Sequence, residues 1–250
     1  MTALPFDARF GDGPYPRARI GFICVANAGL TEGDMFAMRP QGVGLSFTRV
    51  RMHPDCTIAS LSGMEDDLDE AIGTLFPGRT DLDVLCYNCT AGSFVIGEDK
   101  IAAKMKSARS GTRATTLLSG VSAALRAIGA KRIAMATAYT ADINALEAGH
   151  FAAIGFDVVN VAGLELLTDA DMNRVSPHYL AEFAKSVDRS EAEALFISCG
   201  ALRSTEIIER LESELGKPVI GSNQASMWNC LRLAGIKDRM DGFGRLLREY

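Results

Sequence analysis

Leu82-Asp83-Val84-Leu85-Cys86-Tyr87-Asn88-Cys89-Thr90 and Ala194-Leu195-Phe196-Ile197-Ser198-Cys199-Gly200 are the two stretches whose reading decides the fold. Each is a short, nearly continuous apolar run, the pattern of a strand buried on both faces of a parallel sheet. Each ends in a cysteine, then small residues, then a helical pattern: Thr90-Ala91-Gly92-Ser93 in the first, Gly200-Ala201-Leu202-Arg203 in the second. Open α/β sheets bind ligands outside the carboxyl ends of their strands. Cys89 and Cys199 therefore stand where a small substrate would lie, and if the two halves of the chain face each other the thiols bracket it.

Outward from these runs the chain alternates. Strand-type segments at 20–25, 45–52, 82–87, 132–137, 157–161, 194–198 and 218–221 are separated by helix-type segments at 65–76, 100–109, 121–128, 141–154, 177–186, 205–215 and 225–234. That alternation predicts mostly parallel sheet with crossover helices. Residues 1–18, with Gly11, Gly13, Pro14 and Pro16, read as an irregular arm that packs late or mediates association. There is also an internal echo. Leu125-Arg126-Ala127-Ile128-Gly129-Ala130-Lys131 matches Leu231-Arg232-Leu233-Ala234-Gly235-Ile236-Lys237, and residues 21–27 resemble residues 132–139 in type and place.

With 250 residues, 48% hydrophobic and 23% charged, the composition is that of a globular protein with one large domain or two small ones. A net charge of -5 gives no broad basic surface, which argues against nucleic acid or an acidic membrane as partner and leaves small anions open. Asp7 and Arg9 fall where a signal peptide needs an apolar stretch, and no run reaches the roughly 18 apolar residues of a membrane span. The expected location is the cytoplasm, where the six scattered cysteines would be reduced thiols.

Cysteine is commonly a packing residue, and Cys24, Cys86 and Cys230 fit that role. Cys89 and Cys199 differ, because free backbone N–H groups at a strand end and a nearby helix N-terminus lower a thiol's pKa and attract an anion. An acidified thiol and a carboxylate substrate are the expectations. Cys86-Tyr87-Asn88-Cys89 is formally C-x-x-C, but none of His53, His150 and His178 has ligand spacing to another His or Cys, and Cys86 lies within the strand. No metal is expected. Ser93 lacks a G-x-S-x-G elbow and Gly42-Val43-Gly44 lacks the further glycine of a dinucleotide site, so no nucleotide cofactor is expected either. The acidic clusters Glu65-Asp66-Asp67 and Asp69-Glu70 read as a solvated face and a helix N-terminus.

Taken together, Cys89-Thr90-Ala91-Gly92-Ser93-Phe94, Ala136-Thr137-Ala138-Tyr139 with Asp142 and Asn144, Ser198-Cys199-Gly200-Ala201-Leu202, Arg232-Leu233-Ala234-Gly235 and Gly242-Phe243-Gly244-Arg245-Leu246 resemble a known family. It is the aspartate/glutamate racemase superfamily, in the branch of maleate cis-trans isomerases and arylmalonate decarboxylases, and the likeness runs over nearly all of the chain after Arg19. The resemblance implies an α/β fold of two pseudo-symmetric lobes, each a mostly parallel sheet flanked by helices, with a cofactor-free active site in the interlobe cleft. Residues 19–118 plus 222–250 would form the N-terminal lobe and 119–221 the second. Isomerases and racemases of this group carry a cysteine on both lobes, whereas the decarboxylases keep only the one corresponding to Cys199 and have glycine in place of Cys89.

The resemblance thus implies a cofactor-independent two-cysteine isomerase or racemase of a small carboxylate, most concretely one converting maleate to fumarate. Cys89 and Cys199 would be catalytic, and Asn27, Thr90, Ala91, Tyr139 and Gly200 would bind substrate. Asn27 resembles the substrate-binding asparagine of maleate isomerases, and an amide suits a retained carboxylate. Ala28-Gly29-Leu30 and the Gly242–Leu246 tail follow the decarboxylases, and Ala91 replaces a serine that commonly helps hold a carboxylate. An arylmalonate-type decarboxylase and a non-catalytic carboxylate-binding protein are the alternatives. The expected partner is the small carboxylate, and association into a homo-oligomer is left open.

Overall fold

Among residues 6–250, which the computed structural model describes, eight strands pair in parallel as two four-stranded sheets. The first holds β1 (Ala18–Val25), β2 (Val43–Val50), β3 (Val84–Asn88) and β4 (Arg113–Thr116) in the order β2-β1-β3-β4. The second holds β5 (Arg132–Thr137), β6 (Asp157–Gly163), β7 (Ala194–Ser198) and β8 (Val219–Gly221) in the order β6-β5-β7-β8. The order is the same, so the chain is two pseudo-symmetric lobes, and Cys89 and Cys199 each follow the third strand of their own lobe.

The crossovers are helical. In the first lobe they are α1 (Thr31–Ala37), α2 (Ile58–Thr74), α3 (Thr90–Ile96) and α4 (Glu98–Ala108). After β4 come α5 (Leu117–Ala127), α6 (Ala141–Ala153), α7 (Asp169–Arg174) and α8 (Pro177–Val187), then a 3-10 turn at Ser204–Glu206, α9 (Ile208–Leu215), α10 (Ser222–Leu233) and α11 (Gly244–Glu249). The inner strands β1, β3, β5 and β7 are buried on both faces because their apolar residues run nearly without a break. In β1, Ile20, Phe22 and Cys24 enter one core cluster while Ile23 and Val25 enter another, as the two-residue period of a strand requires. In β7, Ala194 and Phe196 divide from Leu195 and Ile197 in the same way. Both clusters draw residues from both sheets.

The internal echo is a repeated helix end. α5 closes with the Ala130 N–H donating to the Leu125 carbonyl and the Gly129 N–H to that of Arg126. α10 closes with Ile236 donating to Leu231 and Gly235 to Arg232. Gly129 and Gly235 take φ of 76° and 80°, the left-handed position at which a helix-ending turn favours glycine. α5 and α10 pack on each other, and each touches strands of both sheets.

Several boundaries differ from the sequence reading. α2 starts at Ile58 rather than 65, because Thr57 and Ser60 form a reciprocal capping box. The acidic cluster read as a helix N-terminus therefore lies in mid-helix, where Glu65 and Asp69 pair with Lys100 (3.3 Å) and Lys104 (2.6 Å) of α4. β4 was not expected, and the 205–215 helix is divided between a 3-10 turn and α9. Residues 6–17 of the expected arm carry neither helix nor strand, with Phe6 and Phe10 exposed; residues 1–5 lie outside the described residues. Arg17 ties the end of the arm to Asp238 at 2.5 Å. No described helix is long and apolar enough to cross a membrane.

Glu147 of α6 is fully buried beneath the second cysteine loop. Its Oε1 accepts from Ser198 Oγ at 2.6 Å, while Oε2 has no partner among the described residues. Burial raises this carboxyl from 4.5 to about 8, with the Ser198 bond pulling it back only in part. The folded chain thus holds a proton that the unfolded chain releases at lower pH. The associated stability is fully present below pH 4.5 and is lost as pH rises toward about 8. Urea unfolding across that range is expected to show this decline in the parent chain, and a weaker pH dependence in Glu147→Gln.

Candidate active site

A cavity opens at the carboxyl ends of the strands. Val25, Ala28 and Thr31 line it from the β1–α1 turn; Met52, Cys56 and Leu61 from the β2–α2 segment; and Asn88, Cys89, Thr90 and Ala91 from the β3–α3 turn. Tyr139, Asp169 and Cys199-Gly200-Ala201 close it from the second lobe. Both cysteines therefore face one cavity built by both sheets.

Cys89 is the N-cap of α3, and its Sγ accepts the Gly92 N–H at 3.2 Å. A side chain at Gly92 would run into the Tyr87 hydroxyl and stand 3.1 Å from the sulfur, so the tight turn needs glycine there. Cys199 is held differently. Its φ of 122° is one that residues with a Cβ rarely adopt, a conformation costing roughly 1–3 kcal/mol. Its N–H donates to Ser222 Oγ at 3.0 Å, and its Sγ accepts from the Ala201 N–H at 3.4 Å and lies 3.6 Å from Met172 Sδ.

The first turn of α10 joins the two loops. Ser222 Oγ accepts both the Cys199 N–H and the Thr90 hydroxyl (3.1 Å). Asn223 Nδ2 donates to the Gly200 carbonyl (2.9 Å) and to Asp34 (2.8 Å), while its Oδ1 accepts from Asn88 Nδ2 (3.2 Å). Ser226 Oγ donates to Asn88 Oδ1 at 2.6 Å. Tyr139 is braced separately: its N–H donates to Thr137 Oγ1, its carbonyl accepts from Asn144 Nδ2, and Thr137 donates to Asn144 Oδ1. Across the mouth, an isolated antiparallel bridge pairs Asp55 with Thr168, and the Cys56 N–H donates to the Leu167 carbonyl at 2.6 Å.

Of the residues expected to bind substrate, Thr90, Ala91, Tyr139 and Gly200 line the cavity. Asn27 does not. Its amide donates to the His53 carbonyl (3.2 Å), and Arg49 fixes the turn around it through the Val25 and Ala28 carbonyls. Burial runs against the expectation of an acidified thiol. Burial pushes Cys89 up to about 12, although the Gly92 N–H and the Tyr87 hydroxyl pull the other way. Burial likewise pushes Cys199 well up, against the Ala201 N–H and the Tyr139 hydroxyl. Desolvation outweighs the strand-end donors at both sites.

Asp169, Asn88 and Ser222 were not singled out in the sequence. Thr168-Asp169-Ala170-Asp171 does carry a helix-start signal, with Thr168 Oγ1 accepting the Asp171 N–H, but nothing in it indicates a cavity-facing carboxylate. No cluster of three or more His, Cys, Asp or Glu able to hold a metal occurs among the described residues.

A family model described as arylmalonate decarboxylase matches residues 82–247, and the chain belongs to that family. The maleate isomerase of Nocardia farcinica is 26% identical over 243 residues, 92% of this chain and 96% of that protein. The arylmalonate decarboxylase of Bordetella bronchiseptica is 33% identical over 146 residues, 56% of this chain and 59% of that protein. A solved structure of the Nocardia farcinica maleate cis-trans isomerase, a mutant with a covalently bound succinylcysteine intermediate, has the same fold. Its TM-score is 0.84 at 24% identity, covering 93% of this chain and 99% of that one.

Two outcomes follow from the geometry. Ser222→Ala strands the buried Cys199 N–H and the Thr90 hydroxyl, and is expected to cost about 1–3 kcal/mol in urea unfolding. Alkylation of Cys89 and Cys199 near neutral pH, read by peptide mapping, should be slower than that of a free thiol and rise about tenfold per pH unit while the thiols remain mostly protonated.

Proposed function

We propose that this member of the arylmalonate decarboxylase family is a cofactor-independent isomerase of a small carboxylate, with maleate to fumarate as the concrete reaction. The observation that carries the reading is that Cys89 and Cys199, each at the end of the third strand of its lobe, line one cavity. The Nocardia farcinica maleate isomerase, similar over nearly the whole length of both chains, supports it.

In this reading Cys89 gives up its proton and its sulfur pair forms a bond to one alkene carbon, while the π pair of the broken double bond moves to the other alkene carbon and into the carboxylate that carbon bears, as an enediolate. Cys199 gives a proton to the other alkene carbon, and the proton released by Cys89 replaces it. The former double bond is now single and rotates; the reverse steps expel Cys89 and restore both thiols, so atoms and electrons balance. Covalent addition is what makes the bond rotatable. Backbone N–H groups around Ala91 and Ala201, with the Tyr139 hydroxyl, are the donors assigned to the developing negative charge. Because burial keeps both thiols protonated at rest, the thiolate forms only within the substrate complex. The six free cysteines suit action in the cytoplasm.

A second reading is favoured by the lining itself. Val25, Ala28, Met52 and Leu61 make an apolar wall, a surface that disfavours a retained carboxylate and would suit decarboxylation with Cys199 as sole proton donor. Incubation with maleate and with an arylmalonate in deuterated water separates the two. Isomerisation predicts fumarate, with turnover falling on the order of 10²–10⁴-fold in both Cys89→Ala and Cys199→Ala. Carbon dioxide release that survives Cys89→Gly and needs Cys199 would select the decarboxylase instead.

A further inference from the structure

Asp169 is the one formally charged side chain in the lining of the cavity, which contains no lysine, arginine or histidine among the described residues. It is only 7% exposed, and no side-chain hydrogen bond or ion pair holds its carboxylate among the described residues. Its position is nevertheless built. The Asp55–Thr168 bridge and the Cys56–Leu167 hydrogen bond fix the segment immediately before it, and Thr168 caps the helix it begins.

No neighbouring group can neutralise it. Cys56 ahead of α2, Cys89 ahead of α3, Tyr139 ahead of α6 and Cys199 after β7 share the cavity with it, and burial keeps all four protonated. Asp142 opens α6, and Asp55, 3.9 Å from His53, lies across the bridge. On its own helix Arg174 is spent on Asp171 at 3.5 Å, on the exposed side. A dicarboxylate bound here with both groups ionised would add a second negative charge beside Asp169 in a site with no cation. Two carboxylates forced together in a desolvated site resolve this by holding one proton between them.

We infer that Asp169 acts as a carboxylic acid in binding, sharing one proton with the second carboxylate of a dicarboxylic substrate, so that the dianion enters with uptake of one proton from solvent. This rests on the isomerase reading and assigns the specificity of that site. The first carboxylate goes to the backbone N–H groups of the cysteine loops; the second is accepted only with its proton. Burial, which raises the Asp169 pKa, acts in the same direction.

Succinate tests this on the intact chain, since it has two carboxylates and no double bond to isomerise. Calorimetry in buffers of different ionisation enthalpy counts the protons taken up. From pH 6 to 9 the Kd is expected to rise toward tenfold per pH unit with uptake of about one proton. Asp169→Asn should show no uptake beyond that due to succinate itself, and a flat Kd above pH 7. Propionate, with one carboxylate, should bind without proton uptake. A pH-independent Kd with no proton uptake in the parent chain overturns the inference, and that measurement needs no variant. An undiminished slope in Asp169→Asn, or failure of succinate to bind while maleate is turned over, overturns it too. Maleate turnover is scored separately: proton-linked binding without turnover sinks the isomerase reading alone, and turnover without proton linkage sinks this inference alone.

Discussion

The hydroxyl of Ser222 is the point on which the site depends. One oxygen accepts the Cys199 N–H from one lobe and the Thr90 hydroxyl from the other, so the two cysteine loops are located relative to each other by a single side chain. Asn223 and Ser226 extend the connection to Gly200, Asn88 and Asp34. These polar groups are buried, and satisfied buried polar networks specify one arrangement because each alternative leaves a donor or acceptor unpaired. The apolar core brings the lobes together without choosing their register; the first turn of α10 chooses it.

The two thiols are equivalent by topology and unequal by environment. Cys89 sits at a helix N-cap with ordinary extended backbone, and its sulfur is already engaged by the N–H that follows. Cys199 is more deeply placed, in a conformation its own backbone disfavours, with a thioether as neighbour. Strain at such a position persists only where the surroundings over-determine it. Duplicated architecture has thus been divided between a thiol held at a helix N-cap and one held by a strained backbone beside a thioether.

Much of this was legible in the chain. Segments 132–137 and 194–198 coincide with β5 and β7 because an unbroken apolar run of that length has few other ways to be buried. The repeated Leu-Arg…Gly motif marked two equivalent helix ends for a local reason, the left-handed glycine. β4, Arg113-Ala114-Thr115-Thr116, escaped because it has almost no apolar signal; it exists through its ladder to β3. The start of α2 escaped because Thr57 and Ser60 act through a cap and not through periodicity. At the site, the strand-end position of each cysteine is local information, whereas its pKa is not: desolvation comes from whatever the whole fold packs around the sulfur, and it outweighs the nearby N–H groups. Asp169 was invisible for the same reason, since only the folded chain shows it to be buried without a partner. Asn27 was placed in the site by likeness; its amide donates to the His53 carbonyl, and it is not among the residues that line the cavity.

The contacts made by α10 also have a temporal side. Asn88 meets Ser226 across 138 positions of sequence and Thr90 meets Ser222 across 132, whereas the link from Ser222 to Cys199 spans only 23. Loop closure over such separations comes late, after local contacts have formed. On a ribosome, the first cysteine loop emerges long before the helix that positions it, and the first lobe stays open at its functional edge until the second has been made. The chain therefore cannot bring the two thiols to one cavity from a partial product. The shared cavity begins as a property of the finished fold, and a nascent chain carries the two cysteines apart.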